Sequence, residues 1–390
     1  MPISGPSLFP SSNPTDSGNR KLASLDTTPL GIAKEEIDTP ALLIDLPTME
    51  GNLKRMADFF SHRECKLRPH AKTHKCPLIA LRQLDLGAIG MTCAKLGEAE
   101  SMVEAGIRSV LIANQIVGPT KISRLIDLAQ RSEPVVAVDN EENVEALSSA
   151  ASARGIEIEA LVEVDIGMGR CGVQPGEAAL ALAQQIDRAP GLSFAGLMGY
   201  EGHLVFIPSQ EERTRRCREA MGLLLETKEM IESCGLAVKI LSGGGTGTYA
   251  ITGQIPGITE VQAGSYLFMD TRYRTIEGLE DFQCALTLLA TVISRPHPRR
   301  AIIDAGMKAI THEFGMPALK DLPGAKLISL AEEHGIITLD ETDRDLKVGD
   351  KIELIVSHGC TTINLHDHYF VMSNGSLQAV WPIAARGAFR

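Results

Sequence analysis

Apolar residues fall into short runs separated by stretches of helical spacing, and the alternation is regular from Pro40 onward. Ala41-Leu42-Leu43-Ile44-Asp45 reads as a strand, and residues 46–60 place their apolar side chains on one helical face. Further strands are predicted near 66–69, 88–91, 109–113, 134–138, 159–164, 193–198, 238–241 and 260–263, most of them followed by a helix-like segment. Successive βα units predict an α/β protein built on a closed (β/α)8, TIM-like barrel, although the same spacing also fits an open doubly wound sheet. After about Asp281 the texture changes to β-rich pieces near 286–294, 300–304, 351–356 and 369–372, with Gly, Pro and Asp between them. The expected organisation is an arm over 1–36, a barrel over 37–280 and a second, mostly β domain over 281–390, which the strand at 41–45 is free to join.

Composition narrows the class. A chain of 390 residues with 44% hydrophobic content can fill two cores. The formal net charge of −11 argues against a phosphate-backbone binder, so no nucleic-acid partner is expected. The eight cysteines form no CxxC pair and no dense framework, which fits thiols in a reducing cytoplasm rather than a disulfide scaffold. No run approaches the ~18 apolar residues of a membrane span, and no basic start precedes an apolar core at the N-terminus. Residues 1–36, rich in Ser, Pro, Thr, Asn and Gly, read as a disordered arm or a surface extension; Asp16 and Asp26 dilute any transit-peptide character.

The chemistry begins at Arg68-Pro69-His70-Ala71-Lys72-Thr73-His74-Lys75, a basic cluster at the end of a short strand. One of its lysines has the setting to form a Schiff base with pyridoxal phosphate (PLP), which needs an amine, a phosphate cradle and a proton-transfer group. Taken alone, the cluster reads more readily as a solvated basic turn, and it is the company of the motifs further along the chain that points to the cofactor. Ser242-Gly243-Gly244-Gly245-Thr246-Gly247-Thr248 follows a late strand and offers unhindered N–H groups and hydroxyls, so Ser242, Gly244, Gly245 and Thr246 are phosphate-cradle candidates. Gly264 and Tyr266, after the next strand, extend that grip; Tyr266 also reads as an ordinary core aromatic. Arg170 can aim a fixed cation at a cofactor or substrate oxygen, Tyr200 can flank a cofactor, and His203 can take a proton. In the second domain, His358 and Cys360 share a face if their segment is extended, and such a nitrogen–sulfur pair with open positions suits a catalytic divalent metal, zinc above all. Asn364, His366, Asp367 and His368 are alternative ligands or orienting groups.

With these motifs in order, the chain from about Asp38 to Trp381 resembles the D-threonine aldolase and D-serine dehydratase family of alanine-racemase-type PLP enzymes. The resemblance implies that Lys72 rather than Lys75 carries the Schiff base. It also implies a metal (zinc, manganese or magnesium) held by the β domain beside the cofactor, and sites completed across a homodimer. The implied substrate is a β-hydroxy-D-amino acid, with His203 as the base of a retro-aldol cleavage giving glycine and an aldehyde. His358-Gly359-Cys360 is similar to the dehydratase pair, whereas the following Thr361-Thr362-Ile363-Asn364-Leu365-His366-Asp367 is more aldolase-like. Dehydration of D-serine or 3-hydroxyaspartate to a 2-oxo acid and ammonia is therefore the second expectation, and a noncatalytic PLP-binding regulator is the third.

Overall fold

The fold is that of a computed structural model describing residues 28–340, 342 and 344–390; positions 1–27 of the predicted arm lie outside the described residues. Strand β1 (Ala41–Asp45) leads into helix α1 (Leu46–Ser61), whose first turn is capped by Asp45 accepting from the Thr48 N–H at 2.9 Å. Eight parallel strands follow: β2 (Lys66–Leu67), β3 (Met91–Cys93), β4 (Ser109–Gln115), β5 (Glu133–Val138), β6 (Ile158–Glu163), β7 (Leu192–Met198), β8 (Ile240–Gly243) and β9 (Glu260–Val261). Helices α2 (Pro77–Asp85), α3 (Leu96–Glu104), α4 (Pro119–Ala129), α5 (Glu141–Arg154), α6 (Glu177–Arg188), α7 (Gln210–Ser233) and the short α8 (Tyr249–Thr252) occupy the crossovers. β9 pairs with β2, and the remaining gap between β2 and β3 is spanned by a parallel bridge from His70 to Thr92 and by the Thr92 N–H donating to Pro69 O at 2.9 Å. The sheet is thus a closed barrel rather than an open doubly wound sheet.

The continuous apolar runs that marked these strands have a physical cause: both faces are covered. Val110, Ile112, Val136, Val162 and Leu197 join the large core that includes the surrounding helices, while Leu111, Val135, Ala137, Leu161, Ala195 and Met198 form a separate cluster of their own. The predicted strand at 88–91 begins later, at Met91, because the α2 end is still being closed by the Ala88 N–H to Gln83 O, and Gly90 at φ 155° passes against Arg68 and Ser109.

The second sheet contains β10 (Leu286–His297), β11 (Arg300–Ile303), β12 (Ala318–Leu319), β13 (Lys326–Leu330), β14 (Gly335–Thr338), β15 (Lys351–Ile355), β16 (His368–Ser373) and β17 (Ser376–Pro382), with a short helix α9 (Gly359–Ile363) after β15. β1 lies inside this sheet, antiparallel to β10 and parallel to β16. The end of the predicted arm is a surface extension along β17: the Gly31 N–H donates to Leu377 O and the Leu377 N–H to Ile32 O. Two contacts lock this sheet onto the barrel mouth. The Tyr369 hydroxyl donates to His74 O at 2.7 Å and the Ala385 N–H donates to Lys75 O at 3.0 Å, both on the turn that carries Lys72. Among the described residues no helix is long and apolar enough to cross a membrane.

Candidate active site

A cavity of about 510 Å³ opens at the C-terminal strand ends. Lys72 lies on its wall in a one-turn helix (Ala71–Thr73), and burial pushes its amine below the ordinary lysine value, with no side chain pairing with it among the described residues. Lys75 is disposed differently: its amine is 2.5 Å from Glu98 in a buried ion pair. The neighbouring Arg68 is likewise committed, to Glu260 at 2.9 Å and to Ser109. Of this basic cluster, Lys72 is the lysine with a free and desolvated amine.

Gly244, Gly245, Thr246, Gly264 and Ser265 line the wall beyond β8 and β9. The N–H groups of Thr246, Gly264 and Ser265 find no acceptor among the described residues, so three backbone donors face the cavity region unpaired. The glycines also answer a packing demand. A Cβ on Gly264 would lie 2.4 Å from Thr73 Oγ1, and one on Gly245 would lie 3.3 Å from the Tyr200 ring. Ser242 sits one step behind, fully buried in β8, its hydroxyl accepting from Gln262 Nε2 at 2.7 Å; Gln262 is the residue that reaches the cavity. Tyr266 points away: its hydroxyl accepts from Gln83 at 2.8 Å in the core, while its backbone N–H donates to Thr246 Oγ1 at 2.9 Å and fixes the loop.

Arg170 and Tyr200 both line the cavity, with the guanidinium 5.9 Å from the tyrosine ring centroid. His203 is exposed at the rim, its ring lying where a Cβ on Gly167 would be 3.1 Å away, and it is not part of the cavity wall. Partial desolvation and the Arg216 charge hold its imidazole below the ordinary histidine value.

The pair His358 and Cys360 reaches the same cavity, though not on an extended strand. His358 is the extended N-cap residue (φ −150°, ψ 121°) and Cys360 sits in the first turn of α9, so backbone reversal at the helix start, not alternation along a strand, brings imidazole and thiol to the same cavity wall. Burial opposes both charges, yet the pair outweighs it: Cys360 and Glu313 lift His358 to about 9, and His358 together with Lys72 pulls the Cys360 thiol below its ordinary value. The Cys360 sulfur also lies 3.8 Å from Thr73 Oγ1, one residue from Lys72. Three of the four alternative ligands are engaged elsewhere: Asn364 accepts from the Gly387 N–H, His366 contacts Ala309 O at 2.7 Å, and Asp367 pairs with Arg386 at 3.0 Å, while His368 begins β16 outside the cavity lining. Among the described residues no cluster of three or more His, Cys, Asp or Glu forms a metal cage, so any ion here would have two protein donors and open positions.

Two carboxylates that the sequence did not single out shape this site. Glu201, fully buried, accepts from the Gly244 N–H (3.1 Å) and from the hydroxyls of Thr248 (2.7 Å) and Thr252 (2.6 Å), bracing the glycine loop from behind. Glu163 lies on the cavity wall with Gln115, and burial raises its carboxyl. Nothing local in the sequence marks Glu201, because its partners lie 43–51 residues downstream.

Residues 44–272 match the family described as Alanine racemase, N-terminal domain, and residues 285–372 match the Putative serine dehydratase domain. A D-threonine aldolase from Arthrobacter sp. is 42% identical over 91% of this chain and 94% of its own length. The 3-hydroxy-D-aspartate aldolase of Paracoccus denitrificans (strain Pd 1222) is 37% identical over 92% and 94%. A D-threo-3-hydroxyaspartate dehydratase from Delftia sp. is less similar, at 28%. The crystal structure of D-threonine aldolase from Filomicrobium marinum superposes with a TM-score of 0.90, covering 93% of this chain and 99% of that one at 40% identity. Matched by both family models and by these relatives over nearly its whole length, the chain belongs to the alanine-racemase-type family of PLP-dependent enzymes, in the branch of the D-threonine aldolases and D-serine dehydratases.

Proposed function

We propose that this enzyme is an aldolase that cleaves β-hydroxy-D-amino acids of the D-threonine or 3-hydroxy-D-aspartate type into glycine and an aldehyde. The observation that carries the proposal is a single cavity joining the desolvated Lys72 amine, an unpaired N–H cradle and the His358–Cys360 pair. The cavity suits PLP: Thr246, Gly264 and Ser265 would hold its phosphate through backbone donors, and Lys72 would hold its aldehyde carbon. When bound, PLP supplies a covalent link to the substrate nitrogen and an electron sink for the bond broken at Cα.

The residues of the chain then act in order. Lys72, kept neutral more readily by burial, presents an amine lone pair and afterwards exchanges protons at the substrate nitrogen. Arg170 orients an anionic oxygen, of the cofactor or of the substrate carboxylate, over Tyr200. His203, held neutral near pH 7, accepts the β-hydroxyl proton; the Cα–Cβ pair stays with Cα, the β-oxygen becomes the aldehyde carbonyl, and Cα takes a proton to give glycine. His358 and Cys360 would hold a divalent zinc, manganese or magnesium ion, which would supply Lewis-acid positive charge to the substrate. Their nitrogen–sulfur chemistry favours zinc.

The same pair supports a second reading, dehydration to a 2-oxo acid and ammonia, because a cation held by it would equally favour loss of a hydroxyl group. Incubating PLP- and metal-loaded enzyme separately with D-threonine, D-serine and both 3-hydroxyaspartate diastereomers, with products read by mass spectrometry, decides between them. Glycine plus aldehyde supports the aldolase, and a 2-oxo acid plus ammonia overturns it. We further infer a homodimer: exposed Val117 and Met316 each lie two residues from cavity-lining Gln115 and Phe314, at the edge a second subunit would cover. Eight unpaired cysteines support a reducing cytoplasm. The division of labour follows the chain, with the cofactor held by residues 37–280 and the metal by 281–390.

A further inference from the structure

His358 is held from two directions. At its edge, Nδ1 lies 2.7 Å from Glu313 Oε1, and the same carboxylate accepts from the Thr361 hydroxyl in the first turn of α9. On its face, Phe314 stacks at 4.2 Å with the rings 15° apart. Both residues come from the connection between β11 and β12, which is itself pinned under α9: the Thr311 hydroxyl contacts Thr361 at 2.8 Å and Thr362 at 3.0 Å, and Ser357 donates to Thr311 O at 2.9 Å. Phe314 and His358 line the cavity, whereas Glu313 does not, and its side chain is 37% exposed against 19% for His358. The carboxylate therefore stands on the solvent side of the imidazole.

This placement decides what Glu313 can be. With Nδ1 engaged outward, only Nε2 remains for a cation in the cavity, so the carboxylate is an orienting partner rather than a third ligand. A carboxylate accepting from Nδ1–H selects the tautomer whose Nε2 lone pair is free, makes that nitrogen a stronger donor and fixes the ring plane. We propose that Glu313 is a positioning residue that sets the metal affinity of this enzyme by holding His358 in its ligating tautomer, with Phe314 holding the ring plane. The proposal rests on the metal reading above and assigns a role to a residue outside the cavity.

Zinc affinity tests it, measured on the full-length, PLP-loaded chain by competition with a chromogenic chelator. Glu313→Ala is expected to weaken zinc binding by roughly 10–100-fold, the range for loss of such an orienting partner. Glu313→Gln, whose amide oxygen can still accept from Nδ1–H, is expected to fall between wild type and the alanine variant. His358→Ala and Cys360→Ala should lose more than either. A zinc Kd for Glu313→Ala within twofold of wild type, while His358→Ala binds weakly, overturns the positioning role and leaves the metal reading intact. Wild-type zinc affinity in His358→Ala and Cys360→Ala overturns both. Melting temperatures of the Ala and Gln variants separate the two causes: a merely structural Glu313 lowers them without moving the zinc Kd.

Discussion

Replacing Glu201 by alanine probes the cradle without touching the cavity wall. Its carboxylate accepts from the Gly244 N–H and the Thr248 and Thr252 hydroxyls in a fully buried setting, with a weaker contact from the Cys217 thiol at 3.7 Å; the first three are of the charge-assisted kind that contributes about 1.5–3 kcal/mol each. Two of the three donors have alternatives in place: the Thr248 hydroxyl is 3.5 Å from Gly245 O, and the Thr252 hydroxyl is 3.3 Å from Cys217 Sγ. The Gly244 N–H has none, so alanine strands one buried backbone donor at a cost of about 1–3 kcal/mol and releases the loop that carries Gly245 and Thr246. If about 2 kcal/mol of that loss is recovered only by reordering the loop around the phosphate, the PLP Kd rises roughly 30-fold, at about 1.4 kcal/mol per tenfold. Glu201→Gln keeps one acceptor oxygen, and its NH₂ can donate to a rotated threonine hydroxyl, so the expected change is under about fivefold. The assay is titration of cofactor-free protein with PLP, followed by the visible absorbance of the lysine-bound form. A melting temperature that drops in Glu201→Ala while the PLP Kd stays within twofold of wild type refutes the reasoning, since Glu201 would then brace the core and not the cradle.

Three further outcomes are expected. Lys72→Ala folds but carries no PLP on the 66–75 segment after borohydride reduction and peptide mass mapping, whereas Lys75→Ala keeps the adduct yet leaves Glu98 buried and uncompensated, lowering stability by about 3–5 kcal/mol in denaturant titration. Gly264→Ala drives a Cβ to 2.4 Å from Thr73 Oγ1 and 3.0 Å from His70 O, so it shifts the lysine turn and costs about 1–3 kcal/mol; an unchanged midpoint would show that the turn yields freely. Asp270 is raised from 3.8 to about 6, mainly by burial, so the folded state holds its proton more tightly than the unfolded one, and its contribution is present below pH 4 and lost as pH rises to about 6. Relative to Asp270→Asn, wild-type stability should therefore fall by about 2 kcal/mol between pH 4 and pH 6; parallel curves for the two proteins would count against the shift.

The parts of this protein that were legible in its sequence are those in which the local pattern and the tertiary environment agree. The barrel strands were readable because coverage on both faces leaves uninterrupted apolar runs, and the lysine turn and glycine loop because their chemistry is contiguous. Legibility failed where a residue's role is assigned by distant partners. Glu201 sits between a tyrosine and a glycine with nothing to distinguish it from a surface acid, and its donors come together only in the fold, from the glycine loop, α8 and α7. His358 and Cys360 were found by spacing, yet for the wrong geometric reason, because a helix start and a strand can both bring i and i+2 together. Ser242 and Tyr266 belong to the predicted motifs but face the core, since a loop entering a barrel mouth turns alternate residues outward and only the fold decides which. β13 and β14 leave no clear strand signal because charged Glu332 and Glu333 occupy their connecting turn and only one face of the hairpin is buried.

Strand β1 has a consequence for how the enzyme is born. Its hydrogen-bonding neighbours are β10 and β16, which leave the ribosome more than two hundred residues later, with the whole barrel in between. A nascent chain can close its barrel while this first strand still waits with both edges bare. Because β16 also sends Tyr369 to the carbonyl of His74, the turn bearing the reactive lysine receives its last restraint only when the C-terminal strands arrive. The order of synthesis therefore keeps the nucleophile from its finished geometry until β16 has been made, so a product truncated before that strand carries a lysine turn but not the site that would discipline its reactivity.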